Sequence, residues 1–214
     1  MSEVIAVTHP VTPPLAKTAN VAAKASLVVL LLLALLYPDQ GNLRDKAAGM
    51  RAVGYPLVSF TLPLLWWTMW RERMSFPWLA DLLITITCFT DILGNRLDLY
   101  DHVVWFDDWM HFMNTGLLAV AFILLTLPRS SGLLRTVERA LAFGATSAIA
   151  WELAEYFAFI SRTSARAFAY GDTLGDLALG TLGAVVGAVI VYRLWQRDRL
   201  CDSTVTLPRE RVRA

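Results

Sequence analysis

Between Val21 and Trp195 the chain alternates long apolar blocks with short charged stretches, and the densest block, Leu27 to Leu36, contains no polar side chain. A helix needs about 20 apolar residues to cross the hydrocarbon core of a bilayer, and repeated blocks of that length are a membrane signature. Composition agrees, with 56% hydrophobic residues against 17% charged. Mean hydropathy is +0.50. The expected fold is therefore all-α, a polytopic transmembrane helical bundle of about six spans with no soluble domain. A net charge of +1 and arginines scattered over several loops exclude a nucleic-acid partner.

The expected spans are 21–37, 52–70, 77–94, 109–127, 139–160 and 173–195. A flexible N-terminal tail, 1–20, with Pro10, Pro13 and Pro14 precedes them, and a basic C-terminal tail, 196–214, follows. Tyr37-Pro38-Asp39-Gln40 after the first span offers no small-residue cleavage site, so that span reads as an uncleaved anchor. Trp66, Trp67 and Trp70 suit an interfacial belt. Ser75 is placed to cap the third span ahead of Pro77. Cys88 in a span and Cys201 in the tail are too far apart to pair, which argues against redox chemistry.

Basic residues concentrate on the cytoplasmic side of membrane proteins. With six spans, one side holds Lys17, Lys24, Arg71, Arg73, Arg129, Arg135, Arg139 and six tail arginines. The other side holds only Arg44, Lys46, Arg51, Arg96, Arg162 and Arg166. Both termini are expected in the cytoplasm.

That orientation gathers acids from four helix ends at the outer face. Asp91 and Asn95 end span three, Asp107, Asp108 and His111 open span four, Glu152 and Glu155 lie late in span five, and Asp172 and Asp176 open span six. Within each element these residues are three or four apart and share a helix face. Gly180, Gly183 and Gly187 continue the face of Asp176, and small residues there permit close helix approach.

Acids at a helix N-terminus have a packing explanation, because they cap free N–H groups and favour the helix dipole. Asp107, Asp108 and Asp172 fit it, and Thr173-Leu174-Gly175-Asp176 has the pattern of a capping box. Glu152 and Glu155 do not fit, since they approach a helix C-terminus, with Glu152 about 12 Å from the expected end. An acid at mid-bilayer costs roughly 2.5–3.5 kcal/mol on insertion scales and needs a partner. Candidates for compensation are His111, Arg96, Arg162, Arg166, protons or a bound cation. Carboxylates with one imidazole suit magnesium, manganese or zinc, although neither His-Glu-x-x-His nor Glu-x-x-His occurs. Arg96, Arg162 and Arg166 are placed to hold a phosphate or lipid headgroup.

Three segments in order, Asp108-Trp109-Met110-His111-Phe112, Trp151-Glu152-Leu153-Ala154-Glu155-Tyr156 and Asp172-Thr173-Leu174-Gly175-Asp176-Leu177 with Gly180 and Gly183, resemble the YjdF-type bacterial inner-membrane family. More distantly, their order is similar to the VanZ-like family, which is associated with teicoplanin resistance at the envelope. The resemblance covers about residues 91–191 and implies a compact bacterial inner-membrane module with a site at Asp108, His111, Glu152, Glu155, Asp172 and Asp176. Glu155 within Glu-x-x-Glu departs from the VanZ-like pattern, which carries a glutamine motif.

Three functions follow from these residues. One is a site that binds or acts on an envelope lipid or lipid-linked phosphate through a carboxylate-held divalent cation. Another is a proton- or cation-coupled transporter with Glu152 and Glu155 as carriers, which buried membrane acids can be. The last is a non-catalytic scaffold held by ion pairs. Whether the chain is an enzyme, and its oligomeric state, are left open.

Overall fold

The computed structural model describes residues 14–37, 48–72, 74–158, 160–162, 164–167 and 169–200. Among these the chain is helical throughout, with no strand. The helices are α1 (Pro14–Leu36), α2 (Ala48–Leu65, continuing as a π-helix over Trp66–Trp70), α3 (Trp78–Arg96), α4 (Leu99–His102), α5 (Phe106–Thr126), α6 (Leu133–Ala158) and α7 (Ala169–Gln196). Two 3₁₀ turns, Ile160–Arg162 and Ser164–Ala167, join α6 to α7.

The boundaries differ from those expected in ways that bear on the site. Residues 14–20 are helix rather than flexible tail. Proline is tolerated in a first turn, and tertiary contacts hold this one: the Lys17 ammonium lies 5.3 Å from the centre of the Trp78 ring, and Asn20 is buried. Ser75 does not cap α3, whose N-cap is Pro77 without a side-chain bond. α5 starts at Phe106, so Asp107 and Asp108 lie inside its first turn. α7 starts at Ala169, which moves Thr173 into the helix and out of the capping position expected for it. The basic residues Arg44 and Lys46, Cys201 and the tail arginines beyond Leu200 lie outside the described residues, as do the side chains of Arg162 and Arg166.

Among the described residues four helices, α1, α3, α5 and α7, are long and apolar enough to cross a membrane. α2 contains Pro56 and Pro63, and α6 carries Arg135, Glu138, Arg139, Glu152 and Glu155. Large apolar side chains point outward along the bundle, for example Leu32 and Leu35 on α1, Leu57 and Leu64 on α2, and Leu182, Val186 and Ile190 on α7. Apolar stripes of that extent match lipid, since soluble monomers rarely expose them.

The bundle has two parts joined by α3 against α5: α1, α2 and α3 on one side, and α5, α6 and α7 on the other. Leu27, Leu31, Tyr55, Cys88 and Ile92 fill the first. Ile123, Leu124, Ala140, Ala184, Ala188 and Val191 fill the second. α5 and α7 meet backbone to backbone. A Cβ on Gly183 would overlap the Phe112 carbonyl, and one on Gly116 would lie 2.9 Å from the Gly183 oxygen. This contact sets Asp176, two turns before Gly183, beside His111.

Candidate functional site

His111 on α5 is nearly enclosed and faces carboxylates from three helices. Its Nε2 lies 3.5 Å from Asp107 Oδ1 and 3.7 Å from Asp176 Oδ1, and its Nδ1 lies 3.6 Å from Glu152 Oε1. Glu155, one turn beyond Glu152, completes a second group in which one donor atom each from His111, Glu152 and Glu155 lie within 4.8 Å of one another. Glu152 is buried, and its Oε2 accepts the Thr173 hydroxyl at 3.0 Å, while Oε1 is buried without a hydrogen-bond partner among the described residues. α6 ends at Ala158, so Glu152 sits about 9 Å from the helix end.

The arrangement is a consequence of helical spacing. Asp107 and His111 are four apart on α5, Glu152 and Glu155 three apart on α6, and Asp176, Gly180 and Gly183 share the α7 face that packs on α5. Asp108 and Asp172 are exposed. Neither belongs to the two groups able to hold a metal ion, and Asp107 occupies the place expected for Asp108. Asp172 lies one turn nearer the end of α7 than Asp176 and overshoots the packed region.

The imidazole also borders a cavity of about 530 Å³ walled by α2, α3, α4, α5 and α6. The same cavity is lined by a second polar cluster. Asp91 Oδ2 accepts Arg51 Nε at 3.0 Å and the Tyr55 hydroxyl, and its Oδ1 accepts the Tyr100 hydroxyl at 2.7 Å. Asn95 Nδ2 donates to the Asp91 carbonyl at 3.0 Å. Burial and the adjacent Asp91 carboxylate push the Tyr100 phenol well above its ordinary pKa, so it stays a neutral donor. Asp98 at φ 59° takes the left-handed turn that ends α3 and brings Tyr100 back over Asp91.

Arg51, expected in a loop, lies on α2 and lines the cavity. Arg96 does not line it, so the expected headgroup clamp is not assembled from Arg96. Residues 19–197 match a family of predicted membrane proteins, DUF2238. The chain belongs to the DUF2238 family. This is the YjdF-type family that the ordered motifs resemble, and its match takes in both polar clusters and the whole bundle except the start of α1. No curated protein and no solved structure matches the chain. As a DUF2238 member it is a membrane protein with several apolar helices.

Sequence reasoning did not single out Arg51, Tyr55, Tyr100 or Thr173 as site residues. The spacing signal existed for the first two, which are four apart on α2 as Asp107 and His111 are on α5. A third cluster at the opposite end of α1, α2 and α3 was also not legible. There Asp81 accepts Asn20 Nδ2 at 2.7 Å and lies 3.2 Å from Lys24 Nζ. The same ammonium donates to Thr85 Oγ1 at 2.8 Å and to the Ser59 carbonyl.

Proposed function

We propose that the chain is a bacterial inner-membrane protein of six spans with both termini cytoplasmic, and that its His111 centre binds a divalent cation at the outer face. The cation in turn holds the phosphate of an envelope lipid or lipid-linked intermediate in the adjoining cavity. One observation carries the metal reading: carboxylates from three helices surround a single imidazole, two of them at 3.5 and 3.7 Å from its Nε2. Repulsion among these carboxylates is a cost that a bound cation relieves, directly at Asp107 and Asp176 and through the imidazole at Glu152.

The spacing supports it. Donor atoms about 2.1 Å from a tetrahedral ion sit about 3.4 Å apart. Asp107 Oδ1 and Asp176 Oδ1 lie 3.5 and 3.7 Å from His111 Nε2. Those two carboxylates and Nε2 are therefore the inner ligands, with zinc ahead of manganese or magnesium. Nδ1 then faces Glu152, the carboxylate that orients the ring, and Thr173 fixes Glu152 in turn.

Phosphate binding in this cavity has to depend on the cation. Asp91, Asp101, Asp107 and Glu155 line it, and its arginine, Arg51, is engaged with Asp91. An anion approaching without the metal meets the negative charge of Asp107 and Glu155. The link to envelope chemistry rests on the similarity to the VanZ-like family and on the outer position of the cluster.

The test is metal analysis of detergent-purified wild type beside a Glu152→Gln, Asp176→Asn double variant after equal removal of loosely bound ions. One divalent ion per chain in wild type only is the expected result. No ion in either, with the variant folded, removes the metal centre. A proton- or cation-coupled transporter then becomes the better reading. It has its own observation, a polar stripe on α3 of Asp81, Thr85, Cys88, Asp91 and Asn95 that runs most of the helix length on one face. Flux into proteoliposomes that follows a pH gradient and is lost in Glu152→Gln would establish it.

A further inference from the structure

The cavity has two ends of different character. Asp107, His111 and Tyr100 stand at the polar end. Deeper in the bundle the wall becomes Val58, Leu118 and Ala148, with Cys88 on α3 and the uncharged polar side chains of Thr87, Asn114, Thr115 and Ser147. From Asp107 to Leu118 the cavity follows α5 for about 16 Å. A free phosphate or a metal ion needs none of that uncharged length.

The deep end also reaches the outer surface of the bundle. Val58 on α2 is 45% exposed and Trp151 on α6 is 37% exposed, and both line the cavity, as does the exposed Ala150. These residues lie within helices, on surfaces where neighbouring apolar side chains such as Leu57, Ile149 and Leu153 also point outward. In a bilayer that surface meets acyl chains. α2 and α6 are not packed along their lengths among the described residues. Tyr55 and Trp151 stack across the gap, with ring centres 6.5 Å apart.

We propose that the gap between α2 and α6 is a lateral portal, and that the cavity's ligand is a phosphate-bearing diacyl lipid. Its head enters from the bilayer past Tyr55 and Trp151 to reach the His111 centre, and its chains remain between Val58 and Ala150. The portal stands on the cavity's shape and lining; only the choice of a phosphate head rests on the metal reading above. Two classes of source are distinguished by the same geometry, since inorganic phosphate would use the polar end and have no contact with the portal.

The experiment measures binding of radiolabelled dioleoyl phosphatidic acid in detergent micelles, with Zn²⁺ supplied or chelated, to wild type and to Val58→Trp, Ala150→Trp and Val58→Ala. Both tryptophans replace lipid-facing side chains, so they fill the portal from opposite edges without entering a packed core, and Val58→Ala widens it. Metal content and thermal midpoint are read on the same samples. Saturable binding by wild type and Val58→Ala, reduced at least tenfold in both tryptophan variants at unchanged metal content, is expected. Equimolar inorganic phosphate, which has no contact with the portal, should not displace the lipid. No saturable binding by wild type, wild-type binding in both tryptophan variants, or displacement by equimolar inorganic phosphate overturns the proposal. If wild type binds the lipid equally without Zn²⁺ while the tryptophan variants lose it, the portal stands and the metal reading falls.

Discussion

The two halves of the bundle treat buried charge in opposite ways. In α1, α2 and α3 every buried acid has its own cation: Asp81 has Lys24 and Asn20, and Asp91 has Arg51 with two phenols. In α5, α6 and α7 three carboxylates face one histidine at 3.5 to 3.7 Å, longer than hydrogen bonds, so a single imidazole is shared among them. Compensated charges hold helices together. Uncompensated ones are costly unless something else binds, so the same residue types read as structure in one half and as a site in the other.

The comparison breaks most readily at Lys24. Removing one member of a buried pair leaves the other charge uncompensated at a cost of about 3–5 kcal/mol. Lys24→Met should therefore lower the midpoint of detergent unfolding strongly, and Lys24→Met with Asp81→Leu should recover most of the loss. In the other half, Glu152→Gln with Asp176→Asn removes repulsion and should leave the metal-free protein as stable as wild type or more so. A double variant of α6 and α7 that unfolds as readily as the single Lys24 variant would erase the distinction.

Next in size is the contact that builds the second half. Gly183→Ala forces a Cβ against the Phe112 carbonyl, and overpacking of this kind costs about 1–3 kcal/mol. Because it separates α5 from α7, it should also weaken metal binding by parting Asp176 from His111. Gly175→Ala is the control, since nothing lies within 4 Å of the position. Isothermal titration and unfolding of the two variants would show whether packing and ligand geometry are linked through this one approach.

Thr173→Val tests the outer support of the site. Loss of a partner that orients a ligand typically lowers metal affinity 10–100-fold, about 1.4–2.7 kcal/mol. The hydroxyl bonds Glu152 and none of the candidate inner ligands, so affinity should fall without loss of the one-to-one stoichiometry. Full affinity in this variant would mean that Glu152 does not orient the imidazole.

How far these assignments could be read from the chain differs by level. Membrane character was legible because apolar blocks of spanning length have few other uses, and so was the gathering of Asp107, His111, Glu152, Glu155 and Asp176, because alternating helices return to the same end. Partner choice was not. Lys24 and Asp81 are 57 positions apart, and Arg51 and Asp91 are 40 apart, so no local pattern links them. Arg96 is closer in sequence to the acids than Arg51, yet the end of α3 carries it away from the cavity wall. Helix starts were the other gap: shifting α7 to Ala169 changes Thr173 from a cap into a hydrogen-bond donor to Glu152.

The smallest effect is expected where sequence and geometry disagree most plainly. Asp108 and Asp172 belong to the motifs that resemble a known family, but both are exposed and outside the candidate metal groups. Water screens an exposed carboxylate, and its removal should change metal affinity by no more than about twofold, the scale of an ordinary surface substitution. Asp107→Asn, on the neighbouring position of the same helix turn, should abolish tight binding instead, because its oxygen is 3.5 Å from Nε2. Titrating the single variants Asp107→Asn, Asp108→Asn and Asp172→Asn with Zn²⁺ would measure how sharply the helix face divides ligand from bystander. Equal losses in all three would mean that the centre responds to the summed negative charge of the helix ends rather than to coordination by particular side chains.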